Sequence, residues 1–420
     1  MTAAASALRR AVDIRLAAML VALVVIWIAL QVATDGLFLS SRNLYNLSLQ
    51  GSAVAIMTCG MVFVIVARQI DLSVGSLLAF TGVLTAYIQV GWADSHPDAG
   101  WIMSIGVGLG TGALVGLFQG WLVAYQGIPA FVVTLAGFLM YRGAAFRVAE
   151  GQTIAPLDDR YQRLGGGADG SLGVTWSWVL GAIACVWVIF YVWNTRRERA
   201  KYNSEASPRW LDLAKIVIGC AAIVAFVAVM VNYPNRAKMD DAGNAPGMGI
   251  GIPVLILIVV AVVLTFLSHR TRFGRYVFAY GGNPEAAVLA GVNTRRLLVL
   301  IFVLMGLLSG LAGIVTTARL NAGTNSLGLL AELYVIAAAV IGGTSLSGGI
   351  GSVPGAILGA FIIQSLLNGM VLLDVASANR PLAVPPLATT SDGPATATTA
   401  SCRCSPAPCV RSRQPSSAGA

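Results

Sequence analysis

The chain has 420 residues, of which 57% are hydrophobic and only 11% charged, and its mean hydropathy is +0.78. Soluble domains carry about a quarter charged residues, so a soluble fold of this length could not hide so much apolar surface, whereas a lipid bilayer can act as its solvent. The net charge of +9 does not indicate nucleic-acid binding, because the basic residues form short clusters between apolar runs, the pattern that sets membrane topology. The composition predicts an all-α membrane protein surrounded by lipid.

A basic stretch precedes the first apolar segment. Arg9, Arg10 and Arg15 come before Ala17–Ala33, which is long enough to cross a bilayer and too long for the hydrophobic part of a typical signal peptide. We interpret this segment as a retained first helix. Residues 1–16 are therefore predicted to form a cytoplasmic N-terminus.

About eleven apolar segments occur along the chain, and a crossing helix needs about 20 such residues. Leu329–Ile341 is shorter and runs into a glycine-rich stretch, which predicts a broken or half helix there. Leu72–Gly75 and Leu346–Gly349 resemble each other, as in a weak internal repeat. Residues 17–373 are thus predicted to form a polytopic transmembrane helical bundle of about 10–12 spanning segments. The segments are Ala17–Ala33, Gly51–Ala67, Leu72–Val90, Trp101–Tyr125, Pro129–Val148, Val174–Trp193, Leu213–Val231, Ile250–Ser268, Leu297–Ala318, Leu329–Ile341 and Val353–Leu373.

Two basic clusters predict the orientation of these segments. One lies at 196–215, between the sixth and seventh segments, and the other at 270–296, between the eighth and ninth. With the N-terminus inside, both loops fall on the cytoplasmic side by parity, as the positive-inside rule requires. The intervening loop at 232–249 is then predicted to lie outside.

The apolar pattern stops abruptly after Asp374. Residues 374–420 are rich in Ala, Pro, Ser and Thr and cannot bury a core, so a disordered tail is predicted. The abrupt change is typical of a shifted reading frame. We expect this tail to be aberrant and to lie outside by parity. The loss of a final helix is expected to leave a packing face of Val353–Leu373, with Gly351, Gly355 and Gly359, open to lipid or to a partner, and to lower stability or transport.

Several chemical functions are disfavoured by the absence of their motifs. The loop that cradles ATP phosphates needs Gly directly before Lys, and all three lysines of this chain follow Ala. With only two histidines and no spaced His/Cys set, the sequence offers neither a catalytic group nor a metal site. The chain is therefore predicted to hold no cofactor, and any ATPase that drives it must be another chain.

Acidic residues are nearly absent from the apolar segments, although ion-coupled carriers usually place carboxylates at mid-membrane. Asp71 lies at a break between two segments, where it suits a helix N-cap together with Ser73. Glu332 lies near the start of a short helix, where it complements the helix dipole. Capping is the favoured interpretation for both residues, which argues against a secondary carrier.

Glycines recur every four residues in two segments, which places them on one helix face that another helix can approach closely. These glycines are Gly108, Gly112, Gly116 and Gly120 in one segment and Gly351, Gly355 and Gly359 in the other. Gln364 and Asn368 also share a helix face, in the last segment. They suit either a lining of the solute path or interhelical hydrogen bonds, and the sequence does not favour one of these roles.

The most informative stretch is the basic loop from Phe273 to Arg296. Within it, Pro284 suits the first turn of a helix, Glu285 favours its positive end, and Gly291 can terminate it. We therefore predict a short helix at the cytoplasmic surface. A channel or scaffold would not need such a helix.

These residues resemble the Glu-Ala-Ala…Gly coupling loop of ATP-binding-cassette importer permeases. Three further stretches, Ile70–Gly75, Val133–Gly137 and Ile341–Ser352, resemble the monosaccharide branch of that class, and within it the xylose-type permeases. The resemblance covers about Leu37 to Asp374. The chain departs from it at Arg68-Gln69, where the family often has an acidic residue or Gly, and beyond Asp374, where family members continue with another spanning helix.

The resemblance implies a multi-pass permease of the bacterial inner membrane. Its partners would be a cytoplasmic ATP-binding-cassette ATPase that uses ATP and Mg²⁺, a periplasmic sugar-binding protein, and a second permease chain in a homodimer. The implied ATPase-coupling residues are Asn283, Glu285, Ala286, Ala287 and Gly291, and we assign Asp71, Ser73, Gly75, Gln364 and Asn368 to the pathway or gate. An ion-coupled secondary transporter of a small polar solute is the alternative.

Overall fold

The computed structural model describes residues 14–92, 99–201, 209–239 and 245–374. Most of the predicted N-terminal segment and the whole predicted tail beyond Asp374 lie outside the described residues. The described ranges contain fourteen α-helices, two single 3₁₀ turns and a few isolated β-bridges. The helices are α1 (Ile14–Ala33), α2 (Ser41–Val66), α3 (Val74–Trp92), α4 (Gly100–Ala124), α5 (Ala130–Ala149), α6 (Asp159–Gln162), α7 (Gly173–Lys201), α8 (Arg209–Val231), α9 (Ile252–Arg270), α10 (Arg272–Gly282), α11 (Pro284–Leu289), α12 (Thr294–Leu320), α13 (Ala331–Ile341) and α14 (Val353–Leu372).

Ten helices of the described ranges are long and apolar enough to cross a membrane, judged by length and composition. Helix α13 is the exception among the predicted segments. Its 11 residues rise about 16 Å, which is half of a hydrocarbon core of about 30 Å. The eleven predicted segments are therefore ten crossings and one half helix, and the predicted all-α polytopic bundle is confirmed.

The predicted start of α2 at Gly51 is wrong, because the helix begins at Ser41. Polar residues in its first turns weaken the apolar signal there. Ser40 caps the helix by accepting from the Asn43 N–H at 3.4 Å, and the Asn43 side chain donates to Asn368 Oδ1 at 2.9 Å. Since tertiary hydrogen bonds satisfy these polar groups, helical structure extends well beyond the apolar run.

Helix α2 forms the centre of the bundle and is buried along nearly its whole length. It packs against α9, α12, α13 and α14. Helices α1, α7 and α8 lie at the periphery with most of their surface uncovered. In a bilayer these outer helices face lipid, which explains why their sequences are apolar on all sides.

The first glycine ladder brings α4 and α12 into backbone contact, as the four-residue spacing predicts. Gly112 lies against the backbone of Gly306, and Gly116 lies against the carbonyl of Phe302. A side chain on either ladder glycine would overlap main-chain atoms. The close packing of these two helices is thus confirmed.

The second glycine ladder is covered by the chain itself. Gly355 lies against the Gly342 carbonyl and Gly359 against the Ala338 carbonyl, both on the α13 side. The expectation that this ladder is left open to lipid or to a partner is wrong. The half helix α13 folds back along α14 and occupies that face.

The loops group at two opposite ends of the bundle. At one end, residues 150–173, 232–239, 245–251 and 321–323 are linked through backbone pairing. At the other end, the C-terminus of α2 contacts the loop of residues 342–352, where the Gly349 N–H donates to the Val66 carbonyl at 3.0 Å. This grouping agrees with the predicted sides of the loops, and the absolute orientation stays a prediction.

We predict that the loop that holds Arg196 to Arg209 faces the cytoplasm and that the loop that holds Asn232 to Gly249 lies outside. Single cysteines would be introduced into each loop of a variant without native cysteines and treated with an impermeant thiol reagent on intact cells. Only the Asn232–Gly249 position should react, because its loop follows seven crossings, an odd number, from a cytoplasmic N-terminus. Labelling of the Arg196–Arg209 loop alone would contradict the predicted topology.

Candidate functional site

The loop between α9 and α12 contains two surface helices, and the sequence predicted only the second. Helix α10 begins at Thr271, whose side chain accepts from the Gly274 N–H at 3.3 Å. Its inner face buries Val277 and places Phe273 against Phe63 of α2, with ring centroids 6.0 Å apart. Apolar residues spaced three and four apart, with arginines on the other face, were the signal for this amphipathic helix.

Helix α11 has the start and end that the sequence predicted. Asn283 is its N-cap, and its side chain accepts from the Ala286 N–H at 3.0 Å. Pro284 and Glu285 occupy the first turn. The helix ends where Gly291 adopts φ of +81°, a left-handed conformation that suits glycine because it has no Cβ.

Helix α11 presents most of its side chains away from the protein. Ala287 is buried, whereas Glu285 and Ala286 are exposed. Val288 is 56% exposed and Leu289 is 88% exposed. Apolar side chains that protrude from a helix in an aqueous loop are typical of a surface that binds another protein. Val288 and Leu289 are the residues of this surface that the sequence analysis did not assign.

The end of α10 is joined to the core of the bundle. Arg68, just beyond α2, donates from Nε to the Gly281 carbonyl at 2.7 Å and from Nη2 to the Gly282 carbonyl at 2.8 Å. Burial raises the pKa of Tyr280 on the same turn, and the charge of Arg68 opposes this shift. The surface helices are therefore attached, through Arg68, to the segment that leads from α2 to Asp71 and α3.

Asp71, Ser73 and Gly75 lie together where the chain re-enters the bundle to start α3. Asp71 is buried, and its Oδ1 accepts from the Ser73 N–H at 2.8 Å and from the Ser73 hydroxyl at 2.7 Å. Ser73 Oγ in turn accepts from Gln119 Nε2 of α4 at 2.9 Å. Asp71 and Ser73 thus form part of a buried polar chain that reaches α4, and their predicted capping of this helix start stays a prediction.

The half helix α13 begins beside this polar chain. The Glu332 carboxylate, in the first turn of α13, lies directly against Gly75 in the first turn of α3. One carboxylate therefore lies at the N-terminal ends of α3 and α13, where both helix dipoles stabilise negative charge. Each of these helices begins after a stretch of irregular backbone, and we call the two the interrupted segments. Only glycine permits this approach, because a Cβ at position 75 would overlap Glu332 Oε2 and the Gly328 carbonyl.

Arg142 of α5 holds the irregular segment that precedes α13. Its Nη1 donates to the carbonyls of Asn325 at 2.8 Å and Leu327 at 2.7 Å, and Nη2 donates to the Gly328 carbonyl at 3.3 Å. It also interacts electrostatically with Glu332. Sequence analysis did not assign Arg142, since nothing local relates it to a segment almost two hundred residues later.

Gln364 and Asn368 form hydrogen bonds with residues of α2 and are separate from the cluster around Asp71. Gln364 Nε2 donates to Gln50 Oε1 at 3.2 Å, and Asn368 Oδ1 accepts from Asn43 Nδ2 at 2.9 Å. In this conformation both amides make interhelical hydrogen bonds, one of the two roles that the sequence left open. A part in the solute path stays a prediction for both.

Comparison with known proteins identifies the class of this architecture. The family model of the branched-chain amino acid transport system permease component matches residues 43–384. The chain is 39% identical to the xylose transport system permease protein of Haemophilus influenzae over 366 residues, which are 87% of this chain and 92% of that protein. It is 37% identical to the xylose transport system permease protein of Escherichia coli K12 over 368 residues, 87% of this chain and 88% of the relative.

A more distant relative is the ribose import permease protein of Escherichia coli K12. It is 31% identical over 342 residues, which are 81% of each chain. No solved structure matches the chain significantly. These relatives are transport subunits and not enzymes, and together with ten apolar helices they make the chain a multi-pass inner-membrane protein. The chain belongs to the family of branched-chain amino acid transport system permease components.

Proposed function

We propose that this chain is the membrane-spanning permease subunit of an ATP-driven importer for xylose or a similar monosaccharide. The observation that carries the proposal is the exposed helix α11, with Leu289 88% exposed on a polar loop, in a chain related to xylose transport system permeases. ATP and Mg²⁺ would bind to a separate ATPase, and this chain would hold no cofactor.

The proposed contact with the ATPase is made by α11. Val288 and Leu289 supply apolar anchors, and Glu285 and Ala286 complete the exposed face. Short helices that insert apolar residues into a groove of a partner are a common mode of protein recognition. Asn283, Ala287 and Gly291 would act indirectly in coupling, because they fix the start, the packing and the end of the helix.

The solute path is proposed to run beside the two interrupted segments that meet at Asp71, Ser73 and Gly75. Irregular backbone at membrane depth is stable only where it is buried in protein or lines water, and transporters use such breaks at their binding sites. A second copy of this chain would complete the path in a homodimer. A periplasmic sugar-binding protein would deliver the sugar at the end opposite α11.

The coupling assignment predicts loss of uptake from three variants that remain in the membrane. Glu285→Arg places a cation at a helix N-terminus, Gly291→Trp forces a bulky residue into φ of +81°, and Leu289→Glu removes the proposed apolar anchor. Loss of a central interface anchor costs about 2 kcal/mol or more, or about thirtyfold in affinity. Sugar uptake and co-purification of the ATPase would be measured together.

The control variant is Ala279→Glu, which adds the same negative charge as Leu289→Glu but at an exposed position on the neighbouring helix α10. It should retain the ATPase and most of the uptake. Wild-type behaviour from all three α11 variants would disprove the coupling assignment.

The alternative function, an ion-coupled carrier, receives some support from the buried carboxylates of Asp71 and Glu332, because such carriers bind ions with carboxylates inside the membrane. However, Asp71 accepts two hydrogen bonds from Ser73, and Arg142 interacts electrostatically with Glu332. Uptake by the isolated chain in vesicles that carry an ion gradient, without ATPase or ATP, would favour the carrier. We expect no such uptake.

A further inference from the structure

Three segments of the chain meet immediately before α11, and we name this contact the joint. It consists of Val66–Arg68 at the end of α2, Gly281–Gly282 at the end of α10, and the loop 342–352 between α13 and α14. The Gly349 N–H donates to the Val66 carbonyl at 3.0 Å. A Cβ on Gly281 would overlap both of these backbone groups. The segments therefore touch through main-chain atoms, which cannot shift independently as flexible side chains do.

Arg68 is the side chain that fastens the joint. Its two guanidinium nitrogens bind the last two carbonyls of α10 at 2.7 and 2.8 Å, and its aliphatic stem packs on Gly348. The backbone of Arg68 has φ of +60°, which is an uncommon conformation for a residue with a side chain. The geometry thus places a rigid, always-charged fork on a sharp turn and directs it at the residues that precede the N-cap of α11.

The joint connects α11 with the segments that lead into α3 and α14. Gly282 directly precedes Asn283, the cap of α11. Three residues after Arg68 the chain reaches Asp71, at the buried start of α3. The loop 342–352 leads from the half helix α13 directly into α14. A displacement of α11 therefore reaches both interrupted segments through this contact.

We infer that Arg68 is a positioning residue for energy coupling, which transmits the movement of α11 to the two interrupted segments that line the proposed path. This inference rests on the proposed docking of α11 to the ATPase. If Arg68 only anchored α10, its loss would weaken ATPase binding or the fold. If it transmits movement, its loss would leave the ATPase bound but would separate ATP hydrolysis from sugar transport.

The experiment uses the complete importer, with permease, ATPase and sugar-binding protein, reconstituted in proteoliposomes. Arg68→Ala should retain bound ATPase and raise the number of ATP molecules hydrolysed per sugar by about fivefold or more, which is typical of the loss of one coupling interaction. Arg68→Lys keeps the charge but lacks the two-pronged fork, and it should give an intermediate ratio. The control is Arg275→Ala, which removes a charge from the exposed face of α10 and should leave the ratio unchanged.

The outcomes separate the two proposals. A wild-type ratio of ATP to sugar in both Arg68 variants, or release of the ATPase by Arg68→Ala, would overturn the role in transmission. If Arg68→Ala does not fold, the ratio measured with Arg68→Lys decides. Failure of the wild-type chain to bind any ATPase would instead refute the proposed function, and Leu289→Glu reports on docking alone.

Discussion

Replacement of Gly112 with alanine is expected to destabilise the protein by about 3 kcal/mol and to abolish sugar uptake. Gly112 lies against the Gly306 carbonyl and Gly306 lies against the Gly112 carbonyl, so an added methyl group on either helix meets backbone. Helices α4 and α12 would have to separate, which would also disturb the contact of Gln119 with Ser73.

Gly110 supplies a matched control on the same helix, because nothing lies within 4 Å of a Cβ built on it. Alanine has the higher helix propensity by about 1 kcal/mol at either position, so Gly110→Ala should be neutral or stabilising. Thermal unfolding in detergent and uptake in vesicles would be measured for both variants. Equal stability of the two would contradict the observed contact between α4 and α12.

Arg142→Met is the second variant with a large expected effect, a loss of about 3 kcal/mol of stability from the lost hydrogen bonds of the guanidinium. The substitution keeps an unbranched apolar stem but removes the guanidinium, which donates to three carbonyls. It also removes the positive charge of Arg142, which interacts electrostatically with the buried Glu332 carboxylate. The irregular segment before α13 should detach, so uptake should be lost as well.

The test of this interaction is a double-mutant cycle. Glu332→Gln in the Arg142→Met background should recover at least about 1 kcal/mol, because it removes the uncompensated charge. Arg147→Met on the same helix is the control, since Arg147 is exposed, and a change within about 0.5 kcal/mol is expected there. Additive effects of Arg142→Met and Glu332→Gln would show that the two residues do not interact.

Features encoded locally were predictable from the sequence. The ends of α11 follow from Asn283, Pro284 and Gly291, whose backbone preferences act within a few residues. The glycine ladder likewise predicts a close helix contact from spacing alone. Helix α10 was missed because its apolar stripe is short and lies in a basic loop, and the start of α2 was misplaced because hydrogen bonds to α14 satisfy its polar residues.

The sequence by itself determined that the protein lies in lipid, that its fold is all-α, and where its apolar segments lie, because each apolar segment must satisfy its own backbone hydrogen bonds within lipid. Only the tertiary structure decided which groups meet. Arg142 reaches Gly328, and Arg68 reaches Gly281, across more than 180 residues. Such pairings depend on which helices become neighbours. That choice results from packing over the whole bundle, so it cannot be predicted from any single segment.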